Sequence, residues 1–591
     1  MNFNKQQLEA ISHKDGACVL LAAAGSGKST TLLERINRLC QSGVEQSKIL
    51  AISFTNATAT ELKEKLNNKG LQNVAVGTFH SICRNILLSE GYENIMSFPN
   101  KYKVKREMEN VLGERNINIE DIMSFISYQK AHFLTPFDEF KNKESMYSIS
   151  ELTQCYITYE DFKTRTNTYD FDDWLWMTVD VCRKNPNKYV WDYVNCDEKQ
   201  DNNSIHDILI RLWCPKNNIM VVGDLNQSIY GFNAAVPELF ANFHKTIPNT
   251  KVINMNTNYR SCKKIVEKAN DFIRPYNHGF ELYKDAVAFN QEEGMVYGKV
   301  FEDRRSEAVI VARQIEKLIA DGVNVNDIAV LYRNNAHADY IENELKQRNI
   351  CYRIFSNGSF FERKEIKGIL SILRLVENTT DDEAFENIFC DLRCYPVNYY
   401  RSELINQLIS ESGAKNCSLY EAFLDHKFEQ KWQKNNAEMF VDFISRLKIQ
   451  NEKHLSPAKM IDNILKMFKI IDGIKEKYEI SSWQDKIDSI ENLKTISDGY
   501  SLNGFLKYIS TGTIGKKQDN DGVSLMTCHK SKGLEYDYTF VIGLEDDKFP
   551  SNRSSEIEEA RLFYVAVTRA KKWLQISSIG RSLFYDSYFS N

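Results

Sequence analysis

Eight small or apolar residues, Ala17 to Ala24, run straight into Gly25-Ser26-Gly27-Lys28-Ser29, and helix-like apolar spacing begins at Thr31. No other stretch restricts the chain so much. A buried strand that ends in a glycine-containing loop and opens a helix turns backbone N–H groups toward one point, where the helix N-terminus adds its partial positive charge. Phosphate suits that arrangement. In Ala22-Ala23-Ala24-Gly25-Ser26-Gly27-Lys28-Ser29, the Lys28 ammonium can neutralise β- and γ-phosphates and the Ser29 hydroxyl can ligate Mg²⁺. The junction therefore predicts an α/β fold that binds a nucleoside triphosphate.

Similar apolar runs recur at Ile49 to Ser53, Ile219 to Val222 and Val252 to Met255, each followed by a loop and then by helical spacing such as Glu61 to Leu66 or Lys263 to Ala269. Strands alternating with helices imply a mainly parallel sheet. A second series starts at Ile328 to Tyr332 and resumes at Val523 to Thr527, Thr539 to Ile542 and Leu574 to Ser577, so two α/β cores are expected. Residues 358–519 read as helices, including Lys364 to Glu377 and Ala458 to Ile471, and split the second core as an insertion. A smaller helical stretch, 94–165, interrupts the first.

Composition narrows the class. No apolar run approaches the 18 or more residues of a membrane span, and Met-Asn-Phe-Asn-Lys does not begin a secretory signal, so a cytoplasmic chain with no membrane partner is expected. The 13 cysteines include no CxxC pair, which predicts buried reduced thiols. A net charge of −5 excludes a surface coated in basic residues but leaves room for a local basic groove.

Cys196-Asp197-Glu198-Lys199-Gln200-Asp201 supplies what a hydrolysing phosphate-loop enzyme needs. One carboxylate, Asp197, can hold Mg²⁺, and the next, Glu198, can activate the attacking water. The preceding Asp192 and Asn195 make this strand less apolar than the others.

Read in order, the motifs resemble those of a superfamily 1 DNA helicase of the UvrD/Rep/PcrA type, over essentially the whole chain. Phe3-Asn4-Lys5-Gln6-Gln7 resembles the Q motif, Ile52-Ser53-Phe54-Thr55-Asn56 motif Ia, and Gly77-Thr78-Phe79-His80-Ser81 the next DNA-contacting motif. Asp170-Phe171-Asp172-Asp173, the Asp197 to Asp201 box and Val222-Gly223-Asp224-Leu225-Asn226-Gln227-Ser228-Ile229-Tyr230 follow. Asn258-Tyr259-Arg260-Ser261 resembles motif IV, Thr527-Cys528-His529-Lys530-Ser531-Lys532-Gly533-Leu534-Glu535 motif V, and Tyr564-Val565-Ala566-Val567-Thr568-Arg569-Ala570 motif VI.

The resemblance implies two RecA-like cores with parallel sheets, each interrupted by a helical insertion: 1A at 1–93 and 166–250, 1B at 94–165, 2A at 251–357 and 520–591, and 2B at 358–519. Nucleotide would be bound by Gln7, Ala24, Gly25, Ser26, Gly27, Lys28, Ser29, Thr30, Tyr259 and Glu535, with Gln7 on the adenine edge, Tyr259 stacked on the base and Glu535 on the ribose. Mg²⁺ would take Ser29 and Asp197. Catalysis would rest on Lys28, Asp197, Glu198 and Gln227, with Arg260 and Arg569 converging on the γ-phosphate as arginine fingers from the second core. Phe54, Thr55, His80, Tyr230, Phe232 and His529 would grip single-stranded DNA, the aromatics by stacking, which tolerates any base. The implied activity is an ATP-dependent 3′–5′ single-stranded DNA translocase and helicase, in which ATP hydrolysis between the cores drives stepping. Its substrates would be single-stranded and tailed duplex DNA, and a nuclease or repair factor is a possible protein partner.

The sequence departs from the family at several places. Thr30 stands where relatives commonly carry an arginine flanking adenine, and Asn233 where they carry an arginine after the aromatic of motif III. The family's Gly-Ile-Gly duplex-binding turn should fall near Cys394-Tyr395-Pro396-Val397 and is missing; Pro396 has no N–H to offer a phosphate. The 358–519 insertion carries 23 basic and 25 acidic residues, a poor footprint for duplex. Finally, the chain runs only 22 residues past Arg569, so no fused nuclease and no long docking tail is expected. These departures keep open an alternative, the DNA-stimulated ATPase subunit of a nuclease-containing repair or phage-defence system with little unwinding of its own. A binding module with a decayed ATPase is opposed by the intact catalytic set. RNA remains a lesser possibility, because stacking does not read the 2′-hydroxyl.

Overall fold

A computed structural model describes residues 3–113, 117–231, 234–277, 281–355, 361, 363–392, 394–400, 402–415, 417–478, 480–511, 521–552 and 554–590. Phe232 and Asn233 lie outside the described residues. The chain forms two compact units, Met1–Val300 with Ser531–Asn591, and Phe301–Lys530.

The first unit is built on a six-stranded parallel sheet of β1 (Cys18–Ala22), β2 (Ile49–Ile52), β3 (Ala75–Gly77), β4 (Tyr193–Cys196), β5 (Ile219–Gly223) and β6 (Lys251–Met255), in the order β3-β2-β4-β5-β1-β6. All residues of β1, β2, β4 and β5 are buried, as expected for strands covered on both faces. Because the strands are parallel, the segments after β1, β2, β4 and β5 emerge at one edge, the place where open α/β sheets bind ligands.

The polar β4 is explained by one side chain. Arg35, on the Lys28–Gln41 helix, is fully buried and donates to Asn195 Oδ1. Asn195 is thus a buried acceptor rather than a flaw in the strand, and it ties the phosphate-loop helix to the strand that carries the carboxylates.

The 94–165 stretch contains the helices Lys101–Leu112, Ile119–Ala131 and Ile149–Thr166, around a small core that includes Met108, Ile122, Phe125 and Cys155. Two of its lysines, Lys130 and Lys163, are almost wholly buried against Asp170 and Asp173 at 2.5–2.9 Å. These two ammonium groups ion-pair with every carboxylate of the cluster formed by Glu160, Asp170 and Asp173. The pieces at 295–300 and 531–590 add the parallel pair Tyr536–Leu544 and Ala570–Ile579 to this unit.

In the second unit Ile328–Tyr332 and Tyr352–Ile354 both pair in parallel with Val523–Thr527. Its helices pack around a large core with Ile366, Ile369, Phe385, Phe440, Ile461 and Phe505 at the centre. Lys364–Glu377 is one helix as the spacing predicts. The predicted helix Ala458 to Ile471 is instead two, Pro457–Met467 and Ile470–Lys477, broken where Lys469 adopts a left-handed backbone with φ 48°. A continuous apolar pattern carries across that break, so periodicity alone does not reveal it. No helix among the described residues is long and apolar enough to cross a membrane.

Candidate nucleotide and nucleic-acid site

The loop after β1 depends on its glycines. Gly25 and Gly27 have φ of +69° and +81°, and a Cβ at Gly25 would lie 2.7 Å from Arg260 Cβ. Only glycine allows both that backbone and that approach. Two side chains and one backbone group fasten the loop: Gln7 Nε2 donates to Ser26 O at 3.1 Å, Asn258 Nδ2 to Ala24 O at 2.9 Å, and the Tyr259 backbone N–H to Gly25 O at 2.9 Å. Within it, Ser26 Oγ, Lys28 Nζ and Thr31 Oγ1 are buried without a hydrogen-bond partner. An ammonium that makes no hydrogen bond, with Glu198 Oε1 only as near as 3.9 Å, keeps donors that a phosphate can take, so the loop fits phosphate. Ser29 is exposed on the first turn of the helix and Thr30 is half-buried beside it.

Asp197 and Glu198 leave the end of β4 next to this loop. The Glu198 N–H donates to Asp197 Oδ1 at 2.9 Å, and Lys28 Nζ lies 3.9 Å from Glu198 Oε1. Glu198 itself adopts φ 49°, a strained conformation for a residue with a side chain. Burial, then the Glu198 charge, pushes the Asp197 carboxyl up to about 6. Burial also pushes Glu198 up, but Lys28 and Lys532 outweigh it and bring that carboxyl down to about 2. The pair is thus split into a carboxylate held ionised and one short of positive charge. Asp197 makes no ion pair among the described residues, and its carboxylate and the Ser29 hydroxyl on the first turn of the helix are oxygen donors of the kind that hold Mg²⁺.

Lys532 sits at the centre of the cluster. Its ammonium bonds Asp201, donates to Gln227 O at 2.7 Å, lies 3.9 Å from Glu198 Oε2 and rests 5.1 Å from the Tyr230 ring centroid. Asp201 is pushed up to about 7 by burial, against the pull of this lysine. Gln227 is buried, and its Nε2 donates to Asp224 Oδ2 at 2.7 Å. The motif reading assigned Lys532 and Asp201 no role, and nothing in a single sequence links positions so distant.

The two arginines, about 300 residues apart in sequence, do meet. Arg260 Nη1 donates to Thr568 O at 3.2 Å, beside Arg569. Arg260 Nε also donates to Glu535 Oε2 at 2.8 Å, and Lys571 Nζ lies 3.0 Å from Glu535 Oε1, so this carboxylate is engaged twice. Arg569 is 1% exposed and, among the described residues, donates to neutral acceptors, the carbonyls of Val565 and Leu534 and the Thr568 hydroxyl. Burial and the Arg260 charge depress it to about 9. Two cations held close together, of which only Arg260 ion-pairs directly with a carboxylate among the described residues, form a second feature that fits an anion.

Of the expected DNA contacts, Phe54 and Tyr230 stack on each other with centroids 4.9 Å apart and an interplanar angle of 29°. Thr55 is exposed and caps the Asn56–Asn67 helix through the Thr58 N–H. His80 is half-buried, and its edge meets Phe171 at 6.2 Å. Phe171 is 56% exposed and was assigned no contact by motif. His529 belongs to the second unit, in the turn after Val523–Thr527.

Comparison with known proteins matches residues 3–248 to the UvrD/REP helicase N-terminal domain and residues 253–581 to the UvrD-like helicase C-terminal domain. The ATP-dependent DNA helicase PcrA of Staphylococcus epidermidis is 29% identical over 632 residues, covering 100% of this chain and 85% of the relative. PcrA of Staphylococcus aureus is 29% identical over 624 residues, covering 99% and 84%.

Proposed function

This chain belongs to the UvrD-like helicase family and is an ATP-dependent DNA helicase, and we propose that it works as a 3′–5′ translocase on single-stranded DNA. The observation that carries the proposal is that, among the described residues, Lys28 Nζ makes no hydrogen bond and Arg569 donates to neutral acceptors, both beside the carboxylate of Glu198. A triphosphate meets both cations together. Lys28 and the loop N–H groups hold the β- and γ-phosphates, Arg260 and Arg569 stabilise charge on the transferring group, and Glu198, kept ionised, takes the proton of the attacking water. Mg²⁺ held by Ser29 and Asp197 supplies charge neutralisation on the phosphates.

Coupling to DNA runs through Lys532 in this reading. Release of γ-phosphate changes the charge beside Glu198 and Gln227, and Lys532, which touches both, also packs on Tyr230. Tyr230 and Phe54, with Thr55, His80, Phe171 and Phe232, grip the strand. The four-part layout with insertions at 94–165 and 358–519 belongs to the same proposal.

One observation favours a second reading, an ATPase subunit that depends on a nuclease or repair partner for strand separation. The Cys394 to Val397 turn is buried in the helical core, with Val397 N bonded to Cys394 O at 2.8 Å, and offers no glycine N–H groups to duplex. Strand separation on duplexes with a 3′ or a 5′ single-stranded tail tests both. The proposal expects unwinding of the 3′-tailed substrate only. Unwinding from the 5′ tail overturns the polarity, and ATP turnover on DNA with no unwinding from either tail selects the second reading.

A further inference from the structure

We infer, on the nucleotide and strand contacts proposed above, that Glu558 is a positioning residue that ties the arginine at the γ-phosphate to the loop that grips single-stranded DNA. Its basis is one bond between residues 327 positions apart in sequence: the Gly231 N–H donates to Glu558 Oε1 at 3.0 Å. The approach is so close that a Cβ at Gly231 would lie 2.9 Å from Glu558 Oε2. Gly231 does not have a left-handed backbone, so it is this contact that suits glycine there.

The bond fixes the peptide group beside a gripping aromatic. On the other side of that group the Tyr230 carbonyl accepts from the Ala235 N–H at 3.3 Å, so the Tyr230–Gly231 peptide is held at both polar ends. Its plane sets the direction in which the Tyr230 ring leaves the backbone, and hence the stacking on Phe54. Because the acceptor is a carboxylate, the bond is stronger than one between neutral groups.

Glu558 and Arg569 stand at opposite ends of one packed piece. Ser555 caps the helix Glu556–Val567 by accepting from the Glu558 N–H at 3.2 Å, every residue from Glu559 to Val567 is buried, and Arg569 follows directly after Thr568. The Arg569 guanidinium is itself fastened to this helix, since its Nε donates to Val565 O at 2.8 Å. A pull by phosphate on the guanidinium is therefore passed to the whole helix, and Glu558, about 16 Å away along it, carries the movement to the Gly231 N–H. Lys532 meets Tyr230 at the ring; Glu558 holds it by the backbone.

ATP turnover by the full chain, with and without single-stranded DNA, tests this. Glu558→Ala should lower the stimulation by DNA about fivefold, while the rate without DNA stays within about twofold of wild type. Glu558→Gln keeps an acceptor and should retain stimulation within about twofold of wild type. Gly231→Ala, whose Cβ displaces the carboxyl group, should lower stimulation in the wild-type background and cause no further loss beside Glu558→Ala. A merely structural role would leave a second readout unmoved: a non-hydrolysable ATP analogue should shift the affinity of wild type for single-stranded DNA, and shift it at least about fivefold less in Glu558→Ala. Thermal melting identifies a variant that fails to fold, and Glu558→Leu, which also lacks an acceptor but fills the space, keeps the test if Glu558→Ala does so. Wild-type stimulation in the folded variant without an acceptor, or the same effect of Gly231→Ala with and without Glu558, overturns the inference. If wild type itself is not stimulated by single-stranded DNA, the failure lies with the function proposed above; if it is, and the acceptor-free variant is stimulated equally, only the role of Glu558 is lost.

Discussion

Substituting Lys28 by Ala should abolish ATP turnover, whereas Glu198→Gln should bind nucleotide and fail to hydrolyse it. The first removes the buried ammonium that waits for an anion, and the second removes only the carboxylate that Lys28 and Lys532 hold ionised. Equilibrium binding of a fluorescent ATP analogue beside steady-state hydrolysis separates the two, and wild-type hydrolysis by Glu198→Gln would show that another group activates the water. Arg569→Ala should lower turnover on the order of 10³-fold, as loss of an arginine finger does. It should also lower the melting temperature, because the guanidinium binds the carbonyls of Val565 and Leu534; Arg569→Lys, which keeps the charge, then distinguishes catalysis from packing. Lys532→Met should cut the stimulation of ATPase by DNA about tenfold, since it severs the contact between Gln227, Glu198 and Tyr230. Stimulation equal to wild type removes Lys532 from the coupling path. Among these residues Lys28, Asp197 and Glu198 were legible in sequence because strand, loop and carboxylates follow local rules. Lys532 and the Gly231–Glu558 bond were not, because each depends on pairing between distant segments.

At the scale of elements, the tie between the phosphate-loop helix and β4 carries a stability prediction. Arg35→Ala leaves the buried Asn195 amide without its donor and opens a cavity, together costing about 3 kcal/mol in urea unfolding. An effect under about 0.5 kcal/mol would mean that solvent reaches Asn195. The alternation of apolar runs placed β1, β2, β5 and β6 within a residue or two, since buried parallel strands are short and continuous. It gave less weight to β4, where Asn195 interrupts the apolar run, and did not identify β3, only three residues long and half-buried. The break at Lys469 escaped for a similar reason: both helices bury apolar faces in one core, so the pattern runs through the interruption.

For the whole molecule, the two-core α/β class and the family were readable because the motifs occur in order along the entire chain, and matches at 3–248 and 253–581 agree. What the order of motifs does not give is the set of contacts that join Lys532 to Gln227 and Tyr230 and stack Tyr230 on Phe54, which the structure shows. The 358–519 insertion, with near-zero net charge and a buried Cys394 to Val397 turn, should add little affinity for duplex. Replacing residues 358–519 by a short flexible linker should leave duplex affinity, measured by fluorescence anisotropy, nearly unchanged. A tenfold loss in a folded deletion variant, with single-strand binding intact, would assign duplex contact to this insertion after all.

The measurement closest to the central claim is the steady-state ATPase rate of the full chain with single-stranded DNA, duplex DNA, single-stranded RNA and no polymer, at one salt concentration. Coupling through the cluster around Lys532 predicts slow hydrolysis alone and a rate at least about tenfold higher with single-stranded DNA, with Lys532→Met losing most of that difference. Equal rates with and without single-stranded DNA would contradict it.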